Sequence, residues 1–173
     1  MATDIQKKFC KAVYNAALRI NEISPVFVAA QACYESGWGV KVSGKNNYFG
    51  ITRGSWPVSK CSLVFTTEYF SVPDKKFVAP ERVAGVKLVS HARYRYSVYR
   101  LFKNFDSIED CLREHLRLFQ KPGYADAWPY RKDPIKFAAR ICDSNGCKYA
   151  TDPNYVSTMS RMIKSVQKIV GQR

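Results

Sequence analysis

The residue in this chain best suited to chemistry is a carboxylate, Glu35, in the segment Tyr34-Glu35-Ser36-Gly37-Trp38-Gly39. It stands in the last turn of an apolar stretch that reads as a helix stopping at Gly37. The negative end of the helix dipole and partly dehydrated surroundings both disfavour an ionised carboxylate there, so its pKa is expected above the ordinary value. A carboxylic acid that keeps its proton near neutral pH can pass it to a leaving oxygen, which is what general-acid cleavage of a glycosidic bond requires. A solvated glutamate at a helix end has the same residue type, so the wider context must decide between them.

Three other groupings carry competing chemistry. Cys33 lies near Glu35, and with His91 or His115 as base it would make a cysteine peptidase or amidase. Cys33 falls inside a helix, not at a helix N-terminus where thiolates are stabilised, and His115 reads more simply as a surface or boundary residue. Arg93, Arg95 and Arg100 interleave with Tyr94, Tyr96 and Tyr99. That basic and aromatic pattern suits a nucleic-acid-binding module, although no recognised motif accompanies it and a solvated basic face is the plainer reading. Cys142 and Cys147 form a C-x4-C with no second pair or nearby histidine, so no metal site is expected. In an oxidising compartment those two could form a local disulfide; the other cysteines read as small buried hydrophobes.

The elements that must position these groups follow from periodicity. Ile5, Phe9, Val13, Ala17 and Ile20 recur at helical spacing and predict a helix over about 4–22. Ser24-Pro25 supplies a cap and a first-turn proline for the apolar helix that ends in Glu35. Residues 40–60 read as loop. Residues 63–70 and about 83–102 are rich in β-branched and aromatic types and predict a small antiparallel sheet or hairpin, joined by a polar turn around Pro73-Asp74-Lys75-Lys76. In Arg93-Tyr94-Arg95-Tyr96, alternation puts arginines on one face and tyrosines on the other. Asp106 with Glu109 opens a further helix, Asp133-Pro134 another that ends at Asn145-Gly146, and Asp152-Pro153 the last, with Asp152 as its cap. The fold class is α+β, mostly α, in one domain: a helical lobe over about 1–60 and 106–173, and a β lobe over about 61–105.

Composition sets the outer limits. The 173 residues can bury a core without staples, and no apolar run is long enough to span a membrane. The first twenty residues carry charges throughout and lack the apolar block of a signal peptide, so synthesis in the cytosol is expected. Against 14 Asp+Glu stand 28 Lys+Arg, a net charge of +14, which points to a polyanionic partner or surroundings. Charge alone does not choose between nucleic acid and an anionic cell envelope.

Five segments, in order along nearly the whole chain, resemble one family. Ala29-Ala30-Gln31-Ala32-Cys33-Tyr34-Glu35-Ser36-Gly37-Trp38-Gly39 is similar to the A-Q-A-x-x-E-S-G-W-G segment of the bacterial glucosaminidases of glycoside hydrolase family 73, which includes flagellar rod-associated peptidoglycan hydrolases and autolysins. Asn46-Asn47-Tyr48-Phe49-Gly50-Ile51 resembles the family's N-N-L-F-G-I, and Thr66-Thr67-Glu68-Tyr69 its T-x-E-Y. Phe102-Lys103-Asn104-Phe105-Asp106-Ser107 is similar to its F-R-x-Y-x-S, and Lys148-Tyr149-Ala150-Thr151-Asp152-Pro153-Asn154-Tyr155 to its G-Y-A-T-D-P-x-Y.

The resemblance implies a lysozyme-like fold, with the two lobes flanking a cleft. It implies hydrolysis of the β-1,4 bond after N-acetylglucosamine in peptidoglycan, with Glu35 as general acid and Tyr149 lining the cleft against the sugar's acetamido group. Glu68 matches the family's strand glutamate and is the expected second catalytic group, activating water or steadying an oxazolinium-like intermediate, since 2-acetamido sugars supply an internal nucleophile. The stretch from Glu68 to Phe102 is roughly double the family's usual hairpin, which puts the placement of Glu68 in question. Asn47, Tyr48, Phe49, Tyr69 and Tyr155 are expected to contact sugar, and Asp152 secondarily. No metal or organic cofactor is implied. The implied partners are peptidoglycan glycan strands and the anionic envelope, with an immunity or delivery protein for a phage lysin or secreted effector. Nucleic acid is not expected, a monomer is, and muramidase-type or lytic cleavage of the same glycan is the alternative.

Overall fold

A computed structural model describes residues 2–144, 147–150 and 152–171. Helix α1 (Asp4–Ile20) opens on a reciprocal capping box: the Thr3 hydroxyl accepts from the Gln6 backbone and the Gln6 side chain accepts from that of Thr3. Asn21, in the left-handed region, closes it. Helix α2 (Pro25–Glu35) starts from the Ser24 cap, as its sequence predicts, and eight of its eleven residues are buried. An apolar helix of this kind has to sit at the centre of a core. Phe27 meets Phe119 and Phe137 edge-on at 6.0 and 4.9 Å. Helices α3 (Ile108–Phe119), α4 (Pro134–Arg140) and α5 (Tyr155–Val170) complete the packing around it.

Two helix starts differ from expectation by a residue or more. Helix α3 is capped by Ser107, whose hydroxyl accepts from the Asp110 backbone, not by Asp106. Asp152 does not cap α5. Its carboxylate accepts from the Asn154 backbone in a turn just ahead of the helix, because the chain must first make that turn before Tyr155 becomes helical. The Asp133 cap of α4 is as predicted. Its end is not: α4 stops at Arg140, with Ile141 as its cap, well ahead of the expected stop at Asn145-Gly146, two residues that lie outside the described ones.

The sheet corrects the predicted hairpin. Residues 83–102 are two strands, not one: β2 (Arg82–Ser90) and β3 (Arg93–Lys103), folded back on each other at His91-Ala92, with Ala92 at positive φ. Strand β1 (Cys61–Phe70) pairs with β3, so the order is β1-β3-β2 and the Pro73–Lys76 segment links strands that are not neighbours. Burial gives the reason. Tyr96, Val98, Leu101 and Phe102 of β3 are buried and belong in a central strand, whereas β2 is exposed along its whole length and suits an edge.

The sheet and the helices make one α+β molecule with a helical majority. The last residues of β3 join them. Lys103 Nζ lies 2.5 Å from Glu114 Oε1 on α3 and 4.6 Å from the Trp56 ring centroid. Asn47, fully buried, donates to the carbonyls of Ile51 and Lys103 and accepts from the Ile51 backbone, each at 2.9 Å. It thereby ties the loop between α2 and β1 to the sheet.

Candidate active site

Glu35 closes α2, and the chain turns sharply after it. The Ser36 hydroxyl donates to Ala32 O at 2.5 Å and accepts from the Gly39 backbone at 2.7 Å, while Gly37, Trp38 and Gly39 all have positive φ. Gly39 is required twice over. Its φ is +82°, and a Cβ there would come within 2.6 Å of the Phe9 ring on α1. The turn therefore presents the end of α2 to solvent while staying packed on α1.

The Glu35 carboxylate opens into a cavity of about 400 Å³ walled by Tyr34, Tyr149, Ala150, Asp152 and Tyr155. The Tyr149 hydroxyl donates to Glu35 Oε1 at 3.2 Å. Desolvation against this aromatic wall raises the Glu35 pKa above the usual carboxylate value, and the Tyr149 hydrogen bond opposes it in part. Tyr149 itself is pushed well up, first by burial and then by the neighbouring carboxylate, so its hydroxyl stays protonated as a donor. Glu35 has an exposed surface, yet one side of its carboxylate is dehydrated. The result is a carboxyl whose protonated form is favoured relative to a free glutamate and which can still reach a ligand.

Behind the wall lies a buried polar chain that sequence reasoning missed. The Gln31 amide nitrogen donates to the Tyr155 hydroxyl at 3.1 Å, and His115 Nε2 lies 2.8 Å from Gln31 Oε1. A carboxamide oxygen only accepts, so the proton of neutral His115 sits on Nε2. His115 is buried and not a surface residue. Burial lowers its pKa to about 3, and its ring stacks on Phe49 at 3.7 Å with planes 4° apart. The chain fixes Tyr155, whose ring lies 5.5 Å from that of Tyr149. One sequence signal pointed to it: Gln31 is the lone polar side chain in the buried run of α2.

A second cavity, about 410 Å³, shares Tyr149 as a wall and continues past Phe49, Thr52, His115, Arg117 and Lys121. Of the expected site residues, the fold thus brings Glu35, Tyr149, Asp152 and Tyr155 around one cavity and Phe49 into the next. Asn47 is not placed to contact sugar, since burial and three backbone hydrogen bonds occupy its amide. Tyr48 packs its ring on Phe9, 5.1 Å away, and donates to Asn46.

The sheet residues stand apart from these cavities. Glu68 is 3.7 Å from Arg100 Nη1, and Arg100 Nε also binds Glu81 at 3.0 Å. The long link between β1 and β2 folds over this face: the Tyr96 hydroxyl donates to Val72 O and accepts from the Lys75 backbone, and Phe77 packs near Phe70. Tyr69 points to the opposite face, where Arg93 lies 4.5 Å over its ring. Alternation along a strand forbids Glu68 and Tyr69 from serving one side. For the rival chemistry, Cys33 is fully buried with its thiol pKa raised, which leaves it inert, and Cys142 and Cys147 are free thiols.

Comparison with known proteins places the chain in a family. The family model described as mannosyl-glycoprotein endo-beta-N-acetylglucosaminidase, the glucosaminidase domain, matches residues 11–168. The chain is 24% identical over 154 residues to peptidoglycan hydrolase FlgJ of Vibrio parahaemolyticus, covering 85% of this chain and 42% of that protein. It is 26% identical over 165 residues to a probable N-acetylmuramidase of Lactococcus lactis, covering 94% and 34%. The chain thus spans less than half the length of these curated relatives. Its fold matches a peptidoglycan hydrolase mutant from Sphingomonas sp. A1 with a TM-score of 0.66 at 22% identity, covering 95% of this chain and 98% of the other. It matches a C-terminally truncated glycoside hydrolase domain of Salmonella typhimurium FlgJ with a TM-score of 0.65 at 21% identity, covering 94% and 98%. With the family model spanning almost the whole chain, and an acid held beside a tyrosine at the end of its central helix, the protein belongs to the glucosaminidase family.

Proposed function

We propose that this chain is a peptidoglycan hydrolase, an endo-β-N-acetylglucosaminidase that cleaves the β-1,4 bond after N-acetylglucosamine, with Glu35 as its general acid. The observation that carries the reading is the Glu35–Tyr149 pair in an open, aromatic-walled cavity, where desolvation shifts the carboxyl toward its protonated form. A glycan running from this cavity into the adjoining one passes Tyr149, which the two share. Glu35 then protonates the departing glycosidic oxygen. The Tyr149 hydroxyl, protonated and adjacent, donates to the carboxylate left behind or to the acetamido group of the sugar.

The second group is the acetamido oxygen of the substrate itself or a water activated by Glu68. For Glu68 to act, the sheet must move toward Glu35 and Arg100 must loosen its hold, so substrate binding is coupled to closure of the sheet over the cavity. The +14 charge draws the enzyme to the phosphates and carboxylates of the envelope. A phage lysin or a delivered effector, with its immunity or delivery protein, is the setting this proposal favours.

Mass spectrometry of the products from purified peptidoglycan, with Glu35→Gln beside the wild type, tests the reading. Products ending in reducing N-acetylglucosamine, abolished in the variant, are expected. Equal cleavage by both proteins overturns the role of Glu35. Reducing N-acetylmuramic acid would make the enzyme a muramidase, as the Lactococcus relative's name has it.

A further inference from the structure

The two faces of the sheet differ sharply in charge. The face carrying Glu68 and Arg100 is internally neutralised and covered in part, over Tyr96, by the β1–β2 link. The other face is open: Phe65 and Tyr69 are about half exposed. Its cross-strand rows are Tyr69–Arg95–Lys87, Thr67–Ser97–Gly85 and Phe65–Tyr99–Arg82. With Arg93 beside them, four exposed cations share the open part of this face, Lys103 on the same side being buried against Glu114, and no strand residue on it is acidic. None of the four forms an ion pair among the described residues.

The grouping depends on a defect in the ladder. Arg82 and Lys87 are five residues apart, so in a regular strand they would point to opposite faces. The register shift between Val83 and Gly85 inserts Ala84 as an extra residue and brings both onto the Arg95 side. Two of the guanidinium groups are also held flat. Arg82 lies 4.0 Å over the Tyr99 ring and Arg93 lies 4.5 Å over the Tyr69 ring. Those ring faces are taken by guanidinium, so they are not free to stack bases, which argues against single-stranded nucleic acid. What remains on offer is a row of forked N–H donors, about 7 Å apart where two strand positions separate them. That is the geometry for repeated, bidentate recognition of phosphate.

We propose that this face docks a phosphodiester-linked anionic polymer of the cell wall, holding the enzyme on the wall while the Glu35 cavity works on the glycan. The choice of a wall polymer rests on the peptidoglycan-hydrolase reading above; the charge segregation and the bulge do not. Docking here is separate from glycan recognition, because none of Arg82, Lys87, Arg93 and Arg95 lines the two cavities that meet at Tyr149.

The test is co-sedimentation of the full chain with purified wall, intact or stripped of phosphodiester polymer by hydrofluoric acid. The variants are R82Q/K87Q/R93Q/R95Q; R82K/R93K/R95K, which keeps the charge; and K8Q/K11Q/K164Q/K168Q, which removes four exposed charges elsewhere. Stripping should weaken wild-type binding at least tenfold. The face variant on intact wall should bind like wild type on stripped wall. The lysine-substituted variant, which keeps the charge and loses the guanidinium forks, should bind at least threefold more weakly than wild type. Undiminished binding by it overturns the bidentate recognition. The distant variant should stay within twofold of wild type. Equal binding of intact wall by the face variant and wild type overturns the proposal, as does undiminished wild-type binding to stripped wall. A distant variant that loses as much as the face variant reduces the effect to net charge and overturns it too. Tighter binding to anionic lipid vesicles or single-stranded DNA than to intact wall assigns the face to another partner. Glycan cleavage on stripped wall is measured in parallel. If no protein cleaves, the glucosaminidase reading fails, while sedimentation still decides the docking face.

Discussion

Replacing Tyr149 by Phe isolates a single hydrogen bond at the proposed acid. The Tyr149 hydroxyl donates to Glu35 Oε1 at 3.2 Å, and that bond favours the ionised carboxyl, against the desolvation that raises its pKa. The substitution removes the donor and leaves the aromatic wall. At this length, and with one side of the carboxyl open to water, the bond is worth about 0.5–1 kcal/mol in the ionised form. At 1.36 kcal/mol per pH unit, the Glu35 pKa rises by about 0.4–0.7 unit. A general acid acts while protonated, so the alkaline limb of kcat/KM must move up by that amount, even though kcat falls for want of the hydroxyl. The assay is the pH profile of kcat/KM on soluble, undecorated glycan strands for Tyr149→Phe and wild type. An alkaline limb that stays in place or moves to lower pH refutes the coupling and, with it, Glu35 as the titrating acid.

Other expectations follow from the same geometry. Because folding raises the Glu35 pKa, the native state holds more protons than the unfolded chain in the window just above the carboxyl's ordinary value, and stability falls as pH rises through it. Glu35→Gln should therefore melt higher than wild type at pH 7, with the difference vanishing at pH 3 in thermal scans. His115 works in the opposite sense: its folded pKa is about 3, so the unfolded chain binds the extra proton between about pH 6.5 and 3. It contributes a loss of up to about 1.4 kcal/mol per pH unit on acidification, which His115→Gln should remove from a pH series of urea melts. Asn47→Ala strands two carbonyls and one N–H in the interior and should cost about 2–4 kcal/mol in the same assay, with no new reactivity. Gly39→Ala forces a Cβ into the Phe9 ring at positive φ and should cost about 1–3 kcal/mol, with a larger fractional loss of glycan cleavage than of secondary structure by circular dichroism.

Local chemistry made much of this molecule legible in one dimension. Ser24-Pro25 and the apolar run behind it place α2 and put Glu35 at its last turn, because caps and periodicity act within a few residues. The Arg/Tyr alternation of β3 is likewise visible, as period-two patterning requires: the arginines at 93 and 95 are exposed while Tyr96 is buried. Resemblance to a family added Tyr149, more than a hundred residues from Glu35, which no local pattern connects to it. What the residues could not disclose was pairing over distance. A continuous β-rich run did not reveal its fold-back at His91-Ala92, nor that β1 would neighbour β3, since strand order is chosen by which strand can be buried on its inner face.

The tertiary structure also decided the roles of polar residues that sequence alone reads ambiguously. Asn47 looked like a sugar contact and is a clamp, because burial leaves its amide only backbone partners. His115 looked like a boundary residue and is the neutral end of a buried chain through Gln31 to Tyr155. Glu68 and Tyr69 are adjacent in sequence and face opposite sides, with Arg100 and Arg93 as their respective partners. The chain alone set the proposed acid, its helix and the excess of positive charge. Only the folded state decided which cations gather on one open face and which are neutralised, because a single extra residue in β2 reverses the direction of the side chains from Gly85 to Leu88, Lys87 among them.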